Sequence, residues 1–526
     1  MVTFSDSDHF WKGGQTLKVP MELFKENRQR LCEVLRCHRT LPPDSFVLLQ
    51  GGKSEMRYCS DHEPLFRQES YFHWAFGVIE PDFYGAINVQ NNESMLFIPR
   101  LPSSYVAWMG KIKETDEFKQ IYHVDHVYYA DELEKVFSDL VGASKLILVL
   151  NGLNTDSGTE SKAAHFDGIE KFHVDKTTLH PVISECRVLK TDLELNVLRY
   201  TNKMSSEAHK FVMLNIKDGM YEYELESLFQ YYCHRYGAMR HMSYTCICAT
   251  GENPAVLHYG HAGAPNDRRL TANDMCLFDM GGEYCCYASD ITCSFPVSGT
   301  FTKEQRIIYE AVLDANRQVM KSVHPNVSWI DMHLLAERTQ LEHLKLAGLV
   351  QGDIEEMMDA RLGAIFMPHG LGHMLGIDTH DVGGYLEPHT RSTLPGLKSL
   401  RTNRLLKERM CLTIEPGIYF NQALLNGAYE NERLNKFLNK TEIDKYLHIG
   451  GVRIEDNIFI TKDGCELLTK VPRSCEEIEE WMKNNKKQSN GNYSTHISSR
   501  IYWKYLDSKA NILLVHLTAI LKLFVQ

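Results

Sequence analysis

One stretch constrains this chain more than any other: Leu277-Phe278-Asp279-Met280-Gly281-Gly282-Glu283, continued through Tyr284 to Asp290-Ile291-Thr292. A short apolar run ends on an aspartate, two glycines follow, and a second apolar run brings in another aspartate. Strand, glycine-containing turn and strand together predict a β-hairpin. Side chains alternate along a strand, so Asp279 lies opposite Phe278, and Asp290 shares a face with Thr292. If the strands pair, both carboxylates point to one side. Two close like charges are costly unless something positive lies between them.

A chain of 526 residues, 43% hydrophobic and 24% charged, has enough material for two to four domains with sizeable cores. A formal net charge of −11 argues against a nucleic-acid or membrane-surface protein, for which a basic balance is expected. The opening Met1 to Gly13 is polar and mixed, which predicts no signal peptide. The 14 cysteines have no framework spacing, and Cys246, Cys248, Cys285 and Cys286 sit in apolar strand-like runs as small buried thiols. The cytoplasm, where thiols stay reduced, is the expected compartment.

Residues 1–185 read as one α/β domain. A helical stretch runs from Met21 to Arg36, and strands are expected at Ser45–Gln50, Ala86–Val89 and Lys145–Leu150. This domain has no metal-ligand or nucleophile constellation, so it is expected to serve as scaffold, interface or wall. Residues 186–483 read as an α+β domain. Helices are expected from Thr191 to about Ile216, from Glu222 to Tyr236, from Thr302 (capping pattern Thr302-x-x-Gln305) to about Lys321, and from Asp331 to about Leu346. Strands are expected at Met242–Cys248, Met410–Ile414 and Val452–Ile460. Glu387 to Arg404 has no periodicity and reads as a long functional loop. Residues 484–526 form an atypical tail: a polar, linker-like segment to Ser499, then a mostly apolar run from Ile512 to Val525. That run is too short for a membrane span, which needs about 20 residues.

Three further pieces join the hairpin. Pro368-His369-Gly370-Leu371-Gly372-His373 is a glycine-rich turn with two histidines, followed by His380-Asp381. Glu415 ends an apolar run with Thr413 on its face, and Arg453 and Glu455 alternate with Val452 and Ile454. Each alone is weak. Together, four carboxylates and an imidazole form a hard, oxygen-rich ligand set, suited to Mn²⁺ and less distinctively to Zn²⁺ or Co²⁺. It is too acidic for one tetrahedral zinc. A pair of divalent cations would neutralise it, activate water and polarise a carbonyl.

The order and setting of Asp279, Asp290, His373, Glu415 and Glu455 resemble the ligands of the pita-bread metallopeptidases (family M24). The resemblance covers roughly Phe10 to Arg473, including Phe66-Arg67-Gln68-Glu69-Ser70, Leu257-His258-Tyr259-Gly260-His261-Ala262-Gly263 and Ser399-Leu400-Arg401-Thr402. It implies a creatinase-like first domain and a pita-bread catalytic domain. It also implies two divalent metal ions, with manganese expected, a homodimer, and hydrolysis of dipeptides with a C-terminal proline, as in proline recycling. No nucleic acid or membrane partner is expected.

By the same resemblance, Asp279 holds one metal, Asp290 and Glu455 bridge, and His373 and Glu415 complete the other. Glu415 also passes a proton from water to the proline nitrogen. His258 and His380 contact substrate, and Arg401 grips its free carboxylate. From the residues alone, Arg391, Arg401 and Arg404 are equal candidates for that grip, since a planar guanidinium suits a carboxylate. Thr292, Thr413 and Arg453 share faces with ligands and are expected to support them. Thr379 stands where the family prefers a branched aliphatic residue. The alternatives are an aminopeptidase P-like enzyme acting on longer Xaa-Pro peptides, which needs no such arginine, and an inactive pita-bread binding module.

Overall fold

The computed structural model describes residues 9–38, 41–42, 44–141, 146–260 and 266–489. His261 and the apolar run Ile512–Val525 lie outside the described residues.

The first domain is built on a six-stranded mixed sheet in the order His126–Tyr129, Ser94–Ile98, Tyr84–Asn88, Phe46–Gln50, Leu146–Val149, His173–Asp175. Phe46–Gln50 is central, antiparallel to Tyr84–Asn88 and parallel to Leu146–Val149. Its first four residues are buried, as a strand covered on both faces requires. The helix Glu22–Arg36 buries Leu23, Phe24, Leu31 and Leu35 at helical spacing. Strands Ser94–Ile98 and His126–Tyr129 and the helix Ser70–Phe76 join the expected elements. The expected division at 185/186 falls inside a helix, Leu179–Val188.

The second domain repeats one plan twice: a pair of helices, then antiparallel strands. Asp192–Asn215 pairs with Glu222–Gly237, and Lys303–Ser322 pairs with Trp329–Leu346. Thr191 and Thr302 cap their helices by accepting from Glu194 and Gln305 N–H groups, the reciprocal box that Thr302-x-x-Gln305 announced. One sheet joins Ile247–Thr250, Met275–Asp279 and Thr292–Pro296; another joins Cys411–Ile414, Asp456–Ile460 and Cys465–Leu467. Gly417–Tyr419 pairs with Gly451–Arg453. The candidate ligands lie where these strands meet.

Four local expectations are corrected. The two strands of the opening stretch do pair, with Asp279 opposite Thr292, but residues 280–291 form a long connection and not a tight turn. Within it Gly282–Glu283 pairs with His241–Met242, which also splits the expected strand Met242–Cys248. Val452–Ile460 is two strands, Gly451–Arg453 and Asp456–Ile460, because its partner changes between them. The last helix, Cys475–Ser489, runs past the expected linker start at 484. Among the described residues no helix is long and apolar enough to cross a membrane.

One core cluster crosses both domains, from Phe24 and Trp74 to Leu198 and Phe278. Glu194, 1% exposed, accepts from the Trp74 indole (3.0 Å), the Tyr287 hydroxyl (3.0 Å) and Arg30 (3.2 Å), and so ties the first domain to the second.

Candidate metal centre

Each acidic candidate sits at the end of a strand or just beyond it. Asp279 closes Met275–Asp279, between Ile247 and Thr292 on the neighbouring strands. Asp290 lies just before Thr292–Pro296. Its N–H donates to Asn457 Oδ1 (3.1 Å) and its carbonyl accepts from Asn457 Nδ2. Gly281 allows this path, since a Cβ there would lie 1.8 Å from the Ser289 carbonyl oxygen. Glu415 follows Cys411–Ile414, and its N–H donates to the Leu371 carbonyl (2.8 Å). Glu455 falls in the break between two strands, its N–H donating to the Thr292 carbonyl (3.3 Å). His373 is brought against Thr413 by Gly372, where a Cβ would lie 2.1 Å from the Thr413 carbonyl oxygen.

The five side chains converge. Ligand atoms lie within 4.8 Å of one another in each of three overlapping groups: Asp279, Asp290 and Glu455; His373, Glu415 and Glu455; and Asp290, His373 and His380. They line a cavity of about 80 Å³ together with Leu257, His258, His369 and Arg453. Supporting residues fix their free edges. Thr292 donates to Glu455 Oε2 (2.7 Å), and Thr413 donates to Glu415 Oε1 (3.3 Å). Tyr244 donates to Asp279 Oδ1 (2.5 Å) and Arg453 donates to Asp279 Oδ2 (2.6 Å). His373 Nδ1 faces the Met374 carbonyl at 3.0 Å, so Nδ1 carries the proton and Nε2 is turned toward Asp290 (3.3 Å) and Glu415 (3.4 Å).

As a bare set of side chains this cluster cannot be fully ionised. Burial, followed by the charges of Asp290, Glu415 and Asp279, pushes Glu455 well above the usual carboxylate range. Burial, eased by Arg453, pushes Asp279 up to about 7. Burial also raises Glu415. Asp290 goes the other way: burial would raise it, but its bond to His373 and that ring's charge hold it at about 2. His373 is raised in turn, because Asp290 and Glu415 outweigh its burial. The fold therefore holds protons among five converging ligands, where divalent cations could replace them. Hard oxygen donors with one imidazole suit such ions, so the residues fit the metal pair that the family pattern implies.

Around this cluster, His258 and His380 are exposed at the cavity rim, and the His380 ring meets His373 edge-on with centroids 4.4 Å apart. The three arginines that the sequence left equal now differ. Arg404 is spent on Glu185 (2.9 and 2.5 Å) and the Gly383 carbonyl (2.8 Å). Arg391 holds Asp156 and the Leu400 carbonyl (2.6 Å) and stacks on Tyr385. Arg401 has an ion pair with Asp156 (3.3 Å), and its positive charge is felt at Glu415 and His380. Thr379 donates to the Ser243 carbonyl (3.0 Å), a bond that the family's usual aliphatic residue could not make.

The sequence pattern assigns no role to three neighbours. Tyr244 binds Asp279, as above. Tyr419 accepts from Arg453 (2.7 Å) and donates to His369 Nε2 (3.0 Å), and His369 Nδ1 lies 3.7 Å from Glu415. Only His369 left a signal, as the first histidine of the glycine-rich turn.

The pattern for metallopeptidase family M24 matches residues 196–462, and that for the aminopeptidase P N-terminal domain matches residues 24–149. The chain is 57% identical to a human Xaa-Pro dipeptidase over 473 residues, 90% of this chain and 96% of that one. This chain belongs to metallopeptidase family M24. A more distant family member, a probable Xaa-Pro aminopeptidase of Verticillium alfalfae, is 36% identical over 461 residues, 87% of this chain and 96% of that one. Zinc-substituted E. coli aminopeptidase P, solved with product, superposes with a TM-score of 0.72 at 28% identity, covering 89% of this chain and 99% of that chain. The M24 fold thus comprises a creatinase-like α/β domain followed by an α+β pita-bread domain, as expected from the sequence.

Proposed function

We propose that this M24 enzyme is a dipeptidase that hydrolyses Xaa-Pro dipeptides, with Arg401 reading the free carboxylate of the terminal proline. The observation that carries the reading is Arg401: a partly exposed cation, paired with Asp156, whose charge reaches Glu415 and His380, while Arg391 is also held by the Leu400 carbonyl and Arg404 by Glu185 and the Gly383 carbonyl. An enzyme trimming longer peptides needs no cation there to hold a terminal carboxylate. The 57% identity to a Xaa-Pro dipeptidase, against 36% to a Xaa-Pro aminopeptidase, supports the same choice.

In this reading Asp279, Asp290, His373, Glu415 and Glu455 hold two divalent cations, Mn²⁺ by their donor chemistry. When bound, such a pair polarises the scissile carbonyl and makes water nucleophilic near neutral pH. Glu415, raised by burial and set beside Thr413, takes the water's proton and returns it to the proline nitrogen. His258 and His380 at the rim steady the charge that develops on the carbonyl oxygen. A proline imide bond offers no N–H, so the site reads the carboxylate instead.

The free state of all fourteen cysteines supports a reducing, cytoplasmic setting. The exposed apolar residues Tyr58, Trp108 and Met109 on the first domain support a homodimer. The domains divide at Leu189 and Lys190, between the helices Leu179–Val188 and Asp192–Asn215.

Arg401→Ala tests the reading. A charge-assisted bond is worth about 1.5–3 kcal/mol, so KM for Gly-Pro should rise about 10- to 100-fold. Gly-Pro amide, which lacks the carboxylate, should be handled equally by both proteins. An unchanged KM for Gly-Pro would contradict the assignment.

A further inference from the structure

The helix Trp329–Leu346 buries polar side chains along one face: Trp329, His333 and Glu337 are 0% exposed and Gln340 is 2% exposed. Steps of four, four and three put them in one stripe. An apolar face would bury at less cost, and Glu337 Oε2 and Gln340 Oε1 are even left without a hydrogen-bond partner.

The stripe instead meets the two segments that carry His373 and Glu415. The Trp329 indole N–H donates to the Gly372 carbonyl (3.1 Å), one residue before His373. The Leu371 N–H donates to His333 Nδ1 (3.2 Å), which fixes Nδ1 as the acceptor, and Nε2–H donates to Glu337 Oε1 (3.0 Å). The carbonyl of the same residue, Leu371, accepts the Glu415 N–H (2.8 Å). Gln340 donates to the Gly417 carbonyl (3.1 Å), two residues past Glu415. Arg361 neutralises Glu337 (2.6 Å), and it does so from φ +59°, a left-handed conformation that favours glycine.

We propose that this stripe clamps the two segments at a fixed spacing, and that His333 is its positioning residue, acting on His373 and Glu415 through the backbone of Leu371. The inference rests on the reading of those two residues as metal ligands. His333→Leu removes the acceptor, and His333→Asn returns an oxygen near the place of Nδ1. Trp329→Phe removes the bond to Gly372 and keeps a ring in the core.

The test is calorimetric titration of metal-stripped proteins with Mn²⁺, with kcat and KM for Gly-Pro measured at saturating Mn²⁺. Groups that orient metal ligands typically change affinity 10- to 100-fold. His333→Leu should therefore bind Mn²⁺ about 10- to 100-fold more weakly, and Trp329→Phe should shift the same way. His333→Asn should recover most of the affinity, and KM should hold in all three variants. His333→Leu with wild-type affinity, or His333→Asn as weak as His333→Leu, overturns the proposal. If His333→Leu does not fold, Trp329→Phe with wild-type affinity overturns it. An unsubstituted protein that takes up no Mn²⁺ would instead overturn the underlying metal reading.

Discussion

Glu415 accepts a hydrogen bond from the Thr413 hydroxyl, faces Nε2 of His373 at 3.4 Å and has its side chain 16% exposed, so it touches both the candidate cluster and the open cavity. Glu415→Gln preserves its shape and removes the base. Turnover of Gly-Pro should fall by at least about 10²- to 10⁴-fold, the usual contribution of a positioned acid–base group, while the thermal transition persists. Near-normal hydrolysis would contradict the role. Asp279 makes a second prediction. Its carboxyl stands at about 7 in the bare fold against an ordinary 3.8. Between those values the folded chain keeps a proton that the unfolded chain has lost, so the metal-free protein loses stability as pH rises through this window. Deprotonated ligands also bind metal better. The rise in Tm on adding Mn²⁺ should therefore be larger at pH 8 than at pH 5.5, as differential scanning calorimetry would report; an equal rise would contradict it. The candidate cluster was legible in part, because Asp279 and Glu415 end apolar runs and His373 sits among glycines, while the roles of the five came from the family resemblance. Tyr244 and Tyr419 were not, because they reach the site from stretches whose own pattern gives them no distinction.

Among the elements, alternation told which side chains share a face but not which strand they pair with. Arg453 and Glu455 both reach the site as their period-2 pattern predicted, yet the strand breaks between them where its partner changes. The glycines of the opening stretch predict a hairpin turn. Gly281 serves a close approach to Ser289 instead, and Gly282 pairs with Met242. The helix Leu179–Val188 shows what pattern could not reach. It carries Arg187, 1% exposed, onto Asp381 (2.6 Å) and Asp378 (2.8 Å), on the segment that bears His380. Removing one partner of a buried pair costs about 3–5 kcal/mol. Arg187→Ala should lose stability at the lower end of that range, because Lys190 stays on Asp381 (2.8 Å). Urea denaturation would measure it, and a loss near zero would contradict the pairing.

At the scale of the molecule, the first domain reads as scaffold in its composition but acts as a brace. Arg67, in the run Phe66–Ser70, donates to Glu283 (3.1 Å) and the Ile377 carbonyl (2.8 Å), and Ser70 donates to Asp378 (2.6 Å). These bonds hold both the long connection before Asp290 and the approach to His380. No local pattern could announce them, since each joins residues more than two hundred positions apart. Two helix pairs and two α-and-β domains were legible, because amphipathic periodicity is a local signal, and the candidate cluster was legible as carboxylates at strand ends. The central claim is that these five ligands hold divalent metal for dipeptide hydrolysis. It is tested most directly by stripping the protein with chelator, removing the chelator, and assaying Gly-Pro and a longer Xaa-Pro peptide before and after Mn²⁺ is returned. The expected result is no hydrolysis when stripped, and restored cleavage of Gly-Pro in preference to the longer peptide. Undiminished hydrolysis by the stripped protein, or restored cleavage of the longer peptide alone, would contradict it.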